Sequence, residues 1–152
     1  VNASGSPVDP TTGRLWADRT QRQPAPPEAE RRALAAAYGQ RPPSLATTIG
    51  VLLTDATLTK AQASRLATIG HDGMARAIAP IHSMMDGDTV FALASGRRTA
   101  LDDPREALVA FNRLLTTAAD AFTDACLDAL LAAGGRGRWR AYRDLAPSAV
   151  PA

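Results

Sequence analysis

The apolar positions along this chain change their period several times, and each change predicts an element. The stretch "TTIGVLLT", residues 47–54, is short, β-branched and nearly all apolar, the pattern of a buried strand. Residues 59–79 read as a helix. Thr59 and Gln62 form a capping-box pair at its start, and Leu66, Ile69, Gly73 and Ala77 share one stripe with Met74 and Ile78 beside it. "MMDGD" is a turn, and "TVFALAS", residues 89–95, is a second strand. The last helix is signalled at both ends. Asp103 caps it, Pro104 suits the first helical position, Glu106 completes a capping box, and Gly134 and Gly135 stop it. Between them Leu108, Phe111, Leu115, Ala118, Phe122, Ala125 and Ala129 recur at helical spacing as a core-facing stripe. Strand, helix, strand, helix predicts a layered α/β domain.

The first 46 residues have a different character. Gly5, Pro7, Pro10 and Gly13 punctuate the start, and "VDPTTGR" reads as a tight turn. A short Ala-rich helix, residues 28–38, lies between Pro24, Pro26 and Pro27 on one side and Gly39, Pro42 and Pro43 on the other. The segment reads as a surface linker or processing loop that buries little. The chain opens "VNASGSPVDP" without a Met, like the end of a strand joined midway, which suggests a fragment or one chain of a processed protein.

With 152 residues, 45% hydrophobic and 21% charged, the chain is globular and long enough to bury a core. The formal charge is only +2. Sixteen of the seventeen basic residues are Arg, and the densest run, Arg136 to Arg143 with Trp139 and Tyr142, is a short tail. That distribution argues against nucleic acid as a partner. No run approaches the roughly 18 apolar residues of a membrane span, and no signal peptide is visible, so a cytoplasmic location is expected. The single Cys126 excludes an intrachain disulfide and reads as a small buried hydrophobe.

Candidate chemistry gathers around two stretches. Thr47 stands at the junction between the proline-bounded loop and the first strand. A hydroxyl is a poor nucleophile unless a base takes its proton. A Thr freed at a chain terminus carries its own base, an α-amine with a pKa of about 7.7–8.0. Ordinary β-propensity also accounts for a threonine leading a strand. The second stretch holds Asp86 and Asp88 around Gly87. Such carboxylates can face a common site, bind an ammonium or raise one another's pKa, or simply satisfy the backbone of an acidic turn. A calcium loop lacks its further oxygen ligands. His71 and His82 have no metal-ligand spacing and read as structural, His71 in a helix–strand contact and His82 in a turn.

Together these stretches are specific. "TTIGVLLTDATLTKAQASRLATIGHDGMARAI", "HSMMDGDTVFALASG", the opening "VNASGSPVDPTTGRLW" and the terminal "YRDLAP" resemble the self-processing peptidase family of L-aminopeptidase/D-Ala-esterase enzymes. The same family holds β-aminopeptidases, nylon-oligomer endohydrolases and a pantetheine hydrolase. The resemblance implies an αββα sandwich like that of N-terminal-nucleophile hydrolases, of which this chain is the C-terminal part. Residues 1–46 would be the end of the N-terminal segment with its processing linker, and residues 47–152 the nucleophile-bearing segment. It implies cleavage between Ala46 and Thr47, Thr47 as nucleophile, and its freed amine as base. Asn2 would help polarise the carbonyl or hold the oxyanion, and Asp86 and Asp88 would orient the nucleophilic Thr and its ammonium. No metal or cofactor is implied. The implied partners are a small amide or peptide substrate, the N-terminal portion of the same precursor and further copies of the chain.

Two departures stand out. Ala46 occupies a position that is commonly Asn in the family, and the family's long N-terminal portion, with an active-site lysine and tyrosine in several members, is absent. The alternatives to an amide hydrolase are an acyltransferase of the ornithine acetyltransferase type and a processing-defective, catalytically silent precursor.

Overall fold

The structure is a computed structural model that describes residues 3–38 and 45–151. Asn2 and the Gly39, Pro42 and Pro43 stop lie outside the described residues. The elements are α1 (Glu28–Tyr38), β1 (Ile49–Thr54), α2 (Lys60–Ala75), β2 (Thr89–Ala94), α3 (Pro104–Ala132) and a short α4 (Tyr142–Leu145), followed by a 3-10 turn, Pro147–Ala149. β1 and β2 pair in parallel with α2 as the crossover, a mixed α/β architecture built on one βαβ unit.

Local chemistry fixes the element ends. The Thr59 side chain accepts the Gln62 N–H while Gln62 accepts the Thr59 N–H at 2.9 Å, a complete capping box. α2 ends at Ala75, four residues short of the expected Ala79, because Ala77, Ile78 and Ala79 leave the helix to reach the opening segment, where Ser6 and Ala79 exchange two backbone bonds of 3.0 Å. At α3 the Asp103 carboxylate accepts the N–H groups of Arg105 and Glu106, but no reciprocal bond from Glu106 is formed among the described residues. The helix ends at Ala132 with Ala133 already extended, just ahead of Gly134.

The principal core lies between the sheet and the two long helices. Leu52 and Val90 from the strands, Leu66 and Met74 from α2, and Phe122 and Cys126 from α3 are buried together. Burial pushes the Cys126 thiol pKa up, as befits an inert small hydrophobe. α2 and α3 come close because Gly73 has no side chain: a Cβ there would run into the Ala119 carbonyl and sit 2.8 Å from Phe122 Cβ. The Thr123 hydroxyl lies between the Gly73 and Ala119 carbonyls at 3.0 and 2.9 Å, pinning the crossing. The predicted α3 stripe drifts from the observed one. Leu108, Ala125 and Ala129 are exposed, and the buried positions, Ala118, Ala119, Phe122, Thr123 and Cys126, fall in the middle of this 29-residue helix.

Two further expectations are corrected. The opening segment is not a surface linker. Val8, Leu15 and Leu34 form a second buried cluster with Tyr142, Ala146 and Ala149 from the other end of the chain. The tight turn at Asp9 is present, with Gly13 N–H bonded to Asp9 O at 2.8 Å and Gly13 at φ 73°. The Tyr142 hydroxyl donates to Gly13 O at 3.0 Å, and burial pushes its pKa up to about 12. Among the described residues the strands, in turn, are covered on one side only. Gly50, Leu52, Val90 and Ala92 face the helices, whereas Ile49, Val51, Leu53, Phe91 and Leu93 are more than half exposed.

Candidate active site

The parallel ladder does not begin at Ile49. Ala46 and Asp86 form an isolated bridge in the same register, with Ala46 N–H bonded to Met85 O at 2.9 Å and Gly87 N–H bonded to Ala46 O at 2.8 Å. Thr48 O then accepts the Thr89 N–H at 2.9 Å. The regular pattern would send the Thr48 N–H to the Gly87 carbonyl. It goes instead to a side chain, Asp88 Oδ1, at 2.8 Å. The two strands are therefore parted at Thr47, which stands exposed between two ladder contacts.

At this gap the Thr47 hydroxyl donates to the carbonyl of the preceding residue, Ala46, at 2.7 Å. The Ala46 carbonyl thus accepts two hydrogen bonds, one from Thr47 and one from the Gly87 N–H, and both polarise it. Gly87 allows the approach: a Cβ there would lie 2.9 Å from Thr47 Oγ1. Thr48, beside it, is 2% exposed, and its hydroxyl has no hydrogen-bond partner among the described residues.

The two carboxylates do not converge. Asp86 Oδ1 accepts the Ser4 N–H at 2.9 Å, tying down the segment that follows Asn2, and Oδ2 accepts the Ser83 hydroxyl and N–H at 2.7 and 3.0 Å. Burial acts to raise the Asp86 carboxyl, but these donors and the nearby His82 outweigh it and hold its pKa below the usual carboxylate value. Asp88 has a nearly buried side chain that accepts from Thr48 on one oxygen and meets His82 Nδ1 at 2.8 Å on the other. His82 Nε2 in turn lies 3.3 Å from His71 Nδ1. His71 therefore contacts a loop histidine, where a helix–strand contact was expected. The sequence reading also passed over Gly87 and Ser83. A glycine between two carboxylates, and a serine three residues before the first of them, were the available signals.

Fold and site together define a mixed α/β protein with a cluster of hydrogen-bonded polar side chains at the N-terminal ends of two parallel strands, and comparison with known proteins narrows that class to peptidases. The chain belongs to peptidase family S58, whose sequence model matches residues 2–138. It is 41% identical over 164 residues to proteins named as uncharacterized aminopeptidases in Mycobacterium bovis and Mycobacterium tuberculosis, an alignment covering 98% of this chain and 47% of each relative. An uncharacterized aminopeptidase of Mycobacterium leprae is 41% identical over 137 residues, covering 88% of this chain and 38% of that protein. The chain spans about half the length of the curated relatives it matches. Among the described residues no helix is long and apolar enough to cross a membrane.

Proposed function

We propose that this chain is the nucleophile-bearing part of a self-processing amide hydrolase and that Thr47 is its nucleophile. The observation that carries the reading is the Ala46–Thr47 peptide itself, whose carbonyl accepts both the Thr47 hydroxyl and the Gly87 N–H. In the processing step Thr47 Oγ gives up its proton to solvent water, which returns one to the nitrogen, and bonds to the Ala46 carbonyl carbon. The C–N bond breaks as the Thr47 nitrogen takes up a proton, and water hydrolyses the resulting ester to an Ala46 carboxylate and a free Thr47 hydroxyl. The Gly87 N–H supports the oxyanion of the first step. The Ala46 side chain is not consumed, so Ala in place of Asn slows the cut without forbidding it.

After the cut the Thr47 α-amine takes the proton of its own hydroxyl as Oγ attacks a substrate amide, then passes it to the departing amine. Water releases the acyl group. Asn2 would hold the oxyanion, Asp88 would fix the backbone behind the nucleophile, and Asp86 would dock the segment bearing Asn2. The substrates are small amides: N-terminal amino-acid or β-amino-acid amides, aminohexanoate oligomers or pantetheine-like groups, of which the relatives' aminopeptidase names favour the first. No metal or cofactor enters these steps.

The bare face of the sheet supports the remainder of the reading. We propose an αββα sandwich in which a second sheet, supplied by the N-terminal portion of the longer protein, covers Ile49, Val51, Leu53, Phe91 and Leu93. Intact mass and N-terminal sequencing of the full-length protein test the central claim. A new chain beginning at Thr47, absent in Thr47→Ala, is the expected result. A wild-type chain that stays uncut for days contradicts it. Hydrolysis of an aminoacyl para-nitroanilide should survive EDTA and vanish in Thr47→Ala; transfer to added amines in preference to water would indicate an acyltransferase.

A further inference from the structure

Thr48 is buried, so its N–H needs a protein acceptor, and Asp88 Oδ1 supplies it at 2.8 Å. That bond replaces a ladder bond and holds open the gap in which Thr47 stands. It depends on which way the Asp88 carboxylate is turned. The other oxygen, Oδ2, is 2.8 Å from His82 Nδ1. A carboxylate only accepts, so His82 Nδ1 carries the proton and donates it. His82 Nε2 faces His71 Nδ1 at 3.3 Å, which sets the ring plane from the α2 side. His82 adopts φ 56°, a left-handed backbone uncommon for a residue with a side chain. The chain accepts this strained conformation at the residue whose ring reaches Asp88.

We propose that His82 is a positioning residue for the chemistry at Thr47: by donating to Asp88 Oδ2 it turns Oδ1 onto the Thr48 N–H and so sets the place of the nucleophile, with His71 steadying its ring. The inference rests on the reading of Thr47 as nucleophile, and its test separates the two. In the full-length protein, His82→Gly accepts the left-handed backbone but has no donor. His82→Asn accepts the same backbone and offers an amide N–H close to the place of Nδ1. Misplacement of a nucleophile costs on the order of tenfold to a hundredfold in rate. His82→Gly should slow cleavage before Thr47, and para-nitroanilide hydrolysis, by that factor at an unchanged melting temperature. His82→Asn should recover most of the loss.

Equal rates for Gly and wild type, or an Asn variant as slow as Gly, would overturn the role of His82. An uncut wild-type chain would overturn the reading of Thr47 instead. Nitrogen-15 NMR of the wild-type protein decides the geometry without any variant. Nδ1 of His82 protonated and coupled to the Asp88 carboxylate supports the proposal, and a bare Nδ1 refutes it.

Discussion

The two faces of the small sheet carry similar side chains in different surroundings. On one face Gly50, Leu52, Val90 and Ala92 lie under α2 and α3, with Phe122 so close to Gly50 that a Cβ there would strike its ring. On the other, Ile49, Val51, Leu53, Phe91 and Leu93 form an apolar row with nothing over it among the described residues. A half-buried strand ordinarily alternates apolar with polar residues, whereas a strand covered on both faces is apolar throughout. β1 is of the second kind. Its composition is that of a sheet with two covered faces, and the described residues cover one.

Phe122→Ala breaks the covered side most severely. Its ring packs against Gly50 and Gly70, and its loss should destabilise the protein by about 3–5 kcal/mol in a denaturant titration. Leu53→Asp sharpens the contrast in the full-length protein. If a second sheet lies on that face, the change buries an unpaired charge and costs about 2–4 kcal/mol, against about 0.5 kcal/mol or less for a surface site. A small cost would remove the sandwich from consideration.

The end of the sheet where both faces meet gives smaller effects. Gly87→Ala places a Cβ 2.9 Å from Thr47 Oγ1 and should slow cleavage before Thr47 by about tenfold, read by mass against time, with little change in stability. Acid gives the smallest effect. The Asp86 pKa is held below the ordinary value in the folded state. Its stabilising contribution is therefore present above the unfolded carboxylate pKa and lost as pH falls through the lower folded one. Asp86→Asn should flatten the fall of the denaturation midpoint below about pH 4.

What was legible in the sequence was local. The bounds of α1, the Thr59 cap and the order strand, helix, strand, helix follow from signals a few residues apart, and the structure keeps them. Apart from the unformed Glu106 half of the Asp103 box, the failures were long-range. Nothing near Leu34 announces that it will meet Ala146, and a proline-rich segment gives no sign that its few apolar residues find partners at the far end of the chain. Helical spacing marked a stripe along all of α3 but could not say which turns would meet α2. At the candidate site Thr47, Asp86 and Asp88 stood out by type and spacing, while the contact of His82 with Asp88 depends on a left-handed backbone that no local residue pattern demanded.

The second buried cluster decides what a cut before Thr47 would leave behind. Val8, Leu15 and Leu34 lie before that bond, and Tyr142, Ala146 and Ala149 lie after it. Across the same divide Ser4 is bonded to Asp86, Ser6 to Ala79 and Ser148 to Glu30. Breaking one peptide would therefore nick the molecule without dividing it. Two polypeptides would separate only in denaturant, and in the native protein the new terminus would stay where the fold had put it.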